Sequence, residues 1–305
     1  LLQQGDLTGA EEAHRQALAL RRRLFGGEHP LVAESLHHLA ATLHTAGDLP
    51  GAEALYRQAL AMDRKLKGEE HRDVAVGSTN LAFALAQQGR FEEAMPLFAR
   101  AVELNARVNG PDHPLLARAL ERQAAALIDQ GRASEALPLV ERSLAIGRAR
   151  YGAQHPSLAV ALGVAAAARA GLDQLAEAER LFRESLDMQR RVRPRPHVTT
   201  VEILTGLGEV LVRQDRGAEA EPLLREALSQ ADRALPATHW RRGEVESVLG
   251  ACLSRLGRGQ EGVALLTAGY ERLRDARGTA HPATRQEDQP VQPGHLDEDP
   301  VHQAD

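Results

Sequence analysis

The sequence predicts an all-α fold, a solenoid of antiparallel helix pairs running through the chain. A histidine recurs every 42 residues, at His29, His71, His113, His155, His197, His239 and His281. A turn residue keeps the same step, at Gly5, Gly47, Gly89, Gly131, Asp173, Asp215 and Gly257. Between these markers the apolar residues step by three or four, which is helical spacing. Two markers in fixed phase over seven copies define one supersecondary unit stacked on its own repeats. Such an array predicts a long curved surface rather than a closed catalytic pocket.

Each unit reads as helix A, tight turn, helix B and short loop. The first turn residue is Gly5, so the chain is expected to open partway through a helix A, as a piece of a longer protein. A helix B follows near 9–25 and Gly26 ends it. Helix A near 30–45 carries Val32, Leu36, Leu39, Ala40 and Leu43, with Pro30 at its first position, where a missing N–H costs nothing. Gly47 breaks it. Helix B near 49–67 carries Ala52, Leu55, Tyr56, Ala59, Leu60 and Leu66, and Gly68 stops it. The same reading places A helices near 71–87, 114–129, 156–171, 196–213 and 239–255. It places B helices near 91–109, 133–151, 175–192, 217–235 and 259–276. Small residues (Ala52, Ala94, Ala136, Ala178, Ala220 and Gly262) recur five past the turn, where helices must approach closely. Each periodic histidine sits at a loop-to-helix junction, where a side chain can cap free N–H groups. His281 and Pro282 announce one more helix A that does not develop. The array is therefore bounded at 1–277, and residues 278–305 read as a disordered acidic tail.

Leu39-Ala40, Leu43, Gly47, Ala52, Tyr56 and Ala59, with their copies Leu81-Ala82, Leu85, Gly89, Ala94, Phe98 and Ala101, resemble the tetratricopeptide repeat. The usual unit is about 34 residues. The longer unit here, with its G-x-x-H phrase, is similar to the kinesin-light-chain-like variant. That resemblance implies a right-handed superhelix whose helix A residues line a concave groove. It also implies a non-enzymatic scaffold that holds partner peptide segments there. A second implied role is the C-terminal regulatory module of a larger bacterial signalling protein, a serine/threonine kinase or an ATPase regulator.

Mapped onto this chain, the groove candidates are His37, His38, Asn80, Phe83, Gln87, Arg118, Arg122 and Val164. The family's peptide-holding asparagine stands only at Asn80. Its counterparts are His38, Arg122, Val164, Gly206 and Val248. Asn80 is thus expected to hold a peptide amide. Arg118 and Arg122 would attract acidic side chains, because the guanidinium fork bonds both carboxylate oxygens. Gly163 and Ala167 would leave an apolar recess. The groove reads as polar first, small and apolar in the middle, and acidic later.

Composition narrows the classes. The net charge is -5 and aromatics are 3% of residues, which argues against a nucleic-acid partner. No apolar run predicts a membrane span. A single cysteine, Cys252, excludes an internal disulfide and suggests a reducing, cytoplasmic setting. No phosphate loop, zinc-helix or nucleophile-elbow motif is present, so neither a cofactor nor catalysis is implied. His37 and His44 lie two turns apart, too far to share a metal. Arginine outweighs lysine, which occurs only at Lys65 and Lys67, a bias that suggests a GC-rich bacterial source. The incomplete first unit leaves self-association open.

Overall fold

The computed structural model describes residues 7–193, 195–279 and 281–285. They form α1 (Leu7–Phe25), α2 (Pro30–Ala46), α3 (Leu49–Lys67), α4 (Arg72–Gln87), α5 (Phe91–Asn109), α6 (Pro114–Asp129) and α7 (Ala133–Tyr151). There follow α8 (Pro156–Gly171), α9 (Leu175–Val192), α10 (Val198–Arg213), α11 (Gly217–Ala234), α12 (Trp240–Arg255), α13 (Gly259–Arg277) and α14 (Pro282–Arg285). Each even-numbered helix from α2 to α12 packs on the odd one after it and, less extensively, on the odd one before it. From α4 to α12 each even helix also touches the next even helix, which puts them on one continuous inner wall.

The periodic histidines are the N-caps of the inner helices. In each case Nδ1 accepts the backbone N–H two residues on, for example from Leu31 to His29 at 3.2 Å and from Leu115 to His113 at 3.1 Å. The same bond recurs at His71, His155, His197, His239 and His281. A ring that accepts in this way carries no proton on Nδ1. The turn position needs a left-handed residue: Gly47 sits at φ 91°, and the aspartates that replace glycine, Asp173 and Asp215, sit at 60° and 59°. Aspartate is among the few side chains that tolerate this region.

The seams use the small residues as expected. Ala52, Ala94, Ala136, Ala178 and Ala220 are all fully buried. In the last pair the approach is tighter still. A Cβ on Gly250 would stand 2.7 Å from the Gly262 carbonyl oxygen, and one on Gly269 would stand 2.7 Å from that of Gly243. Enlarging such a seam overpacks it. Ala94→Leu should cost about 1–3 kcal/mol, read as a lowered urea midpoint. An unchanged midpoint would show that the helices can part there freely.

The expected long curved surface bends further than its repeat reveals. The array completes a turn, and its last repeat packs on its first ones. Trp240 and Leu273 bury Leu49, the first residue of α3. The His239 ring lies against Gly47, and His281 lies against Gly89 and Phe91. Arg277 Nε donates to the Gln87 carbonyl at 2.9 Å, across 190 residues of sequence. Curvature accumulates from a small rotation at every seam, so the periodicity does not reveal where the ends meet. The expected acidic tail lies mostly outside the described residues, as does the expected start within a helix A. The tail's first residues are placed, with Pro282–Arg285 helical and His281 and Thr284 buried. At the other end α1 leaves Leu20, Leu24 and Phe25 exposed.

Candidate functional site

Closure of the turn converts the concave wall into a central cavity of about 470 Å³. All six inner helices from α2 to α12 contribute to it, together with Arg277 from the end of α13. Its volume falls in the range of sites that enclose small or short ligands.

One end is cationic. Arg118 and Arg122 project from α6 on the same face, one turn apart. Arg122 donates to Asn80 Oδ1, and its guanidinium stands 4.8 Å from the Phe83 ring centroid. Neither arginine has an ion pair with a described carboxylate. Arg118 is open to cavity solvent yet enclosed by protein, and this burial lowers its pKa. Burial and repulsion from Arg118 lower Arg122 to about 10. Both stay charged at neutral pH. Glu121 lies beside them without an ion pair among the described residues, and burial pushes its carboxyl up to about 7. At that pH it offsets only part of the positive charge.

The middle is small and apolar, with Val160, Gly163, Val164 and Ala167 of α8 facing Ile203 of α10. Gly163 is not needed for space, since an added Cβ would meet Ile203 and Ser185 at an ordinary 3.6 Å. The far end is a neutralised ionic cluster. Arg241 pairs with Glu202 and, at 3.2 Å, with Glu244. Arg277 pairs with Glu244 at 3.0 Å and Asp129 at 3.4 Å. Both guanidinium groups lie 4.2 Å from the Trp240 ring centroid. Burial raises the pKa of Asp129 and Glu202. Charge here is already compensated, whereas at Arg118 and Arg122 it is not.

Of the residues picked out in the sequence, Phe83, Gln87, Arg118, Arg122 and Val164 line this cavity. Asn80 meets it only through Arg122, and its amide oxygen is occupied by that arginine. His38 is exposed and turns toward His14 of α1, with ring centroids 5.5 Å apart. His37 is half-buried between repeats, where its Nε2 meets Asp63 at 2.8 Å. Neither histidine lines the cavity. The sequence reading passed over His239, Trp240, Arg241 and Arg277. One signal was available: the position after the periodic histidine holds Pro, Arg or Val elsewhere, but the chain's single tryptophan at Trp240.

Cys252 is fully buried, and burial raises the pKa of its thiol. No helix among the described residues is long and apolar enough to cross a membrane.

Comparison with known proteins agrees with this architecture. One tetratricopeptide repeat model matches residues 1–65, 73–146 and 115–191, and another matches 200–240. No curated protein matches significantly. Among solved structures, a Rap protein complexed with competence and sporulation factor aligns with TM-score 0.63 at 13% identity, over 92% of this chain and 85% of that one. A tetratricopeptide repeat protein from Parabacteroides merdae aligns with TM-score 0.54 at 16% identity, over 91% and 93%. The nearly identical kinesin-light-chain TPR-like repeats of Podosopora anserina align with TM-score 0.50 at 23% identity, over 68% and 97%. At these identities the likeness is one of fold. The repeat models span most of the sequence, and the chain belongs to the tetratricopeptide repeat family.

Proposed function

We propose that this protein is a protein-interaction module that holds a short acidic segment of a partner inside its closed superhelical turn. Tetratricopeptide repeat domains generally mediate protein–protein interaction, and the finer reading rests on the cavity. The observation that carries it is the pair Arg118 and Arg122, which face the cavity with no described carboxylate paired to either. Arg118 is reached by solvent and Arg122 is half-buried, so both keep their charge available to a ligand while no described carboxylate compensates it. A carboxylate of the ligand would supply that counter-charge through charge-assisted hydrogen bonds. An apolar side chain of the segment then rests against Val160, Val164 and Ala167. The reading is one of binding, not turnover.

Fluorescence anisotropy with labelled acidic and neutral peptides provides the test. Arg118→Ala/Arg122→Ala should weaken acidic-peptide binding by about tenfold or more, since each such bond is worth roughly 1.5–3 kcal/mol. Circular dichroism should show an intact helical array. Equal affinity in wild type and variant would remove the arginines from the account.

A further inference from the structure

We propose that the seam joining the last repeat to the first ones is a gate, which parts to load the central cavity and recloses around the ligand. This inference rests on the reading of the cavity as a binding site.

Three observations support it. First, the closing contact is thin. Neighbouring repeats pack along whole helices, but the seam is made by single side chains at helix ends: Trp240 on Leu49, His239 on Gly47, His281 on Gly89. Such a contact belongs at the low-stability end of local opening.

Second, closing leaves polar groups unsatisfied. Trp240 Nε1 and His281 Nε2, on two residues that touch the first repeats, are buried without a hydrogen-bond partner among the described residues. A buried polar group with no protein partner favours a state in which it reaches water, which weakens the closed state relative to the open one. Arg277 opposes this as a pin, with its side chain only 2% exposed and bonds to the Gln87 carbonyl, Asp129 and Glu244. Dispersed weak costs against one specific pin describe a contact that is populated but reversible.

Third, the seam is also cavity wall. Gln87, Asp129, His239, Trp240 and Arg277 all line the cavity. Parting the seam therefore removes a side of the enclosure. A partner segment with chain on both sides cannot thread a closed ring, but it can enter sideways.

The geometry supplies a lock. A Cβ on Gly89 would stand 3.6 Å from His281 Cβ, within the span of a disulfide. Gly89 has φ 75°, so a cysteine there carries some backbone strain, as Asp173 and Asp215 carry at the same turn in later repeats. Cys252 is fully buried and does not compete. The chain's one tryptophan, Trp240, reports on the seam directly.

In the Gly89→Cys/His281→Cys protein, oxidation should reduce acrylamide quenching of Trp240 several-fold, and reduction should restore it. Arg277→Ala in the otherwise native chain should raise quenching above wild type. Association of the labelled acidic peptide should slow at least tenfold in the oxidised form and recover with dithiothreitol. Equal quenching in both redox states, with Arg277→Ala like wild type, would overturn the gate. Failure of the disulfide to form, with Trp240 freely quenched throughout, would overturn it equally, because the seam would then never close. Should the double-cysteine chain not fold, the Arg277→Ala comparison decides alone. If acidic peptides bind neither redox form, the cavity reading fails while quenching still judges the gate.

Discussion

Lowering the pH from 7 to 5 should cost the fold a few kcal/mol of stability, with most of the loss arising at histidines of the closed turn. Burial pushes the pKa of His44, His239 and His281 down to about 3 and that of His197 to about 4. Nearby arginines add to each shift, Arg122 and Arg241 at His44 and Arg277 at His281. The unfolded chain protonates these rings near pH 6.5. Between that pH and the folded value the unfolded state binds more protons, so stability is complete above about 6.5 and drains as pH falls. At pH 5 each ring could account for up to about 2 kcal/mol.

Carboxyls act in the opposite sense. Glu121, raised to about 7, favours the fold as pH drops from 7 toward its ordinary value, and the raised Asp129, Glu202 and Glu209 do likewise. They offset part of the loss. Three of the four histidines, His197, His239 and His281, are also N-caps, and a protonated ring can no longer accept through Nδ1. Urea midpoints at pH 7.5 and 5.0 measure the effect. His239→Asn/His281→Asn keeps a capping side chain without a titrating one, and should flatten the difference. A pH 7.5 to 5.0 difference equal in wild type and in His239→Asn/His281→Asn would mean that these two rings are not buried as described.

Asp63→Ala should be among the most damaging single changes away from the cavity, costing roughly 2–4 kcal/mol. Asp63 is fully buried in α3 and bonds two cationic or potentially cationic groups, His37 at 2.8 Å and Lys67 at 2.6 Å. Burial works against its charge, yet the hydrogen bonds from His37 and Lys67 hold its pKa below the ordinary value. Removing the carboxylate leaves Lys67 with Asp73 alone, at 2.6 Å, and leaves the His37 ring unpaired between repeats. The expected signature is a lowered thermal and urea midpoint with acidic-peptide affinity retained. Loss of peptide affinity at wild-type stability would return His37 to the binding wall.

The repeat made most of the fold legible. Observed helix limits fall within about two residues of those read from turn residues, histidines and apolar spacing, because each of these acts locally. Histidine capping was also foreseeable, since the ring recurs where a helix start has unmet N–H groups. The binding wall was legible by halves. Phe83, Gln87, Arg118, Arg122 and Val164 share one helical face at matching repeat phases. His37 and His38 have similar phases but fall on the helix edges, where packing against α1 and α3 claims them. Asn80 is claimed by a neighbour one repeat away, Arg122. The contact of Arg277 with Gln87 had no periodic trace. It depends on the summed rotation of seams whose side chains differ in volume, and no local pattern encodes that sum.

Small-angle X-ray scattering of the native chain distinguishes a closed turn from an open spiral. The expected profile fits one closed superhelical turn, with the described repeats contributing no distances beyond the diameter of that ring. A pair-distance distribution with the long tail of an open spiral would contradict it.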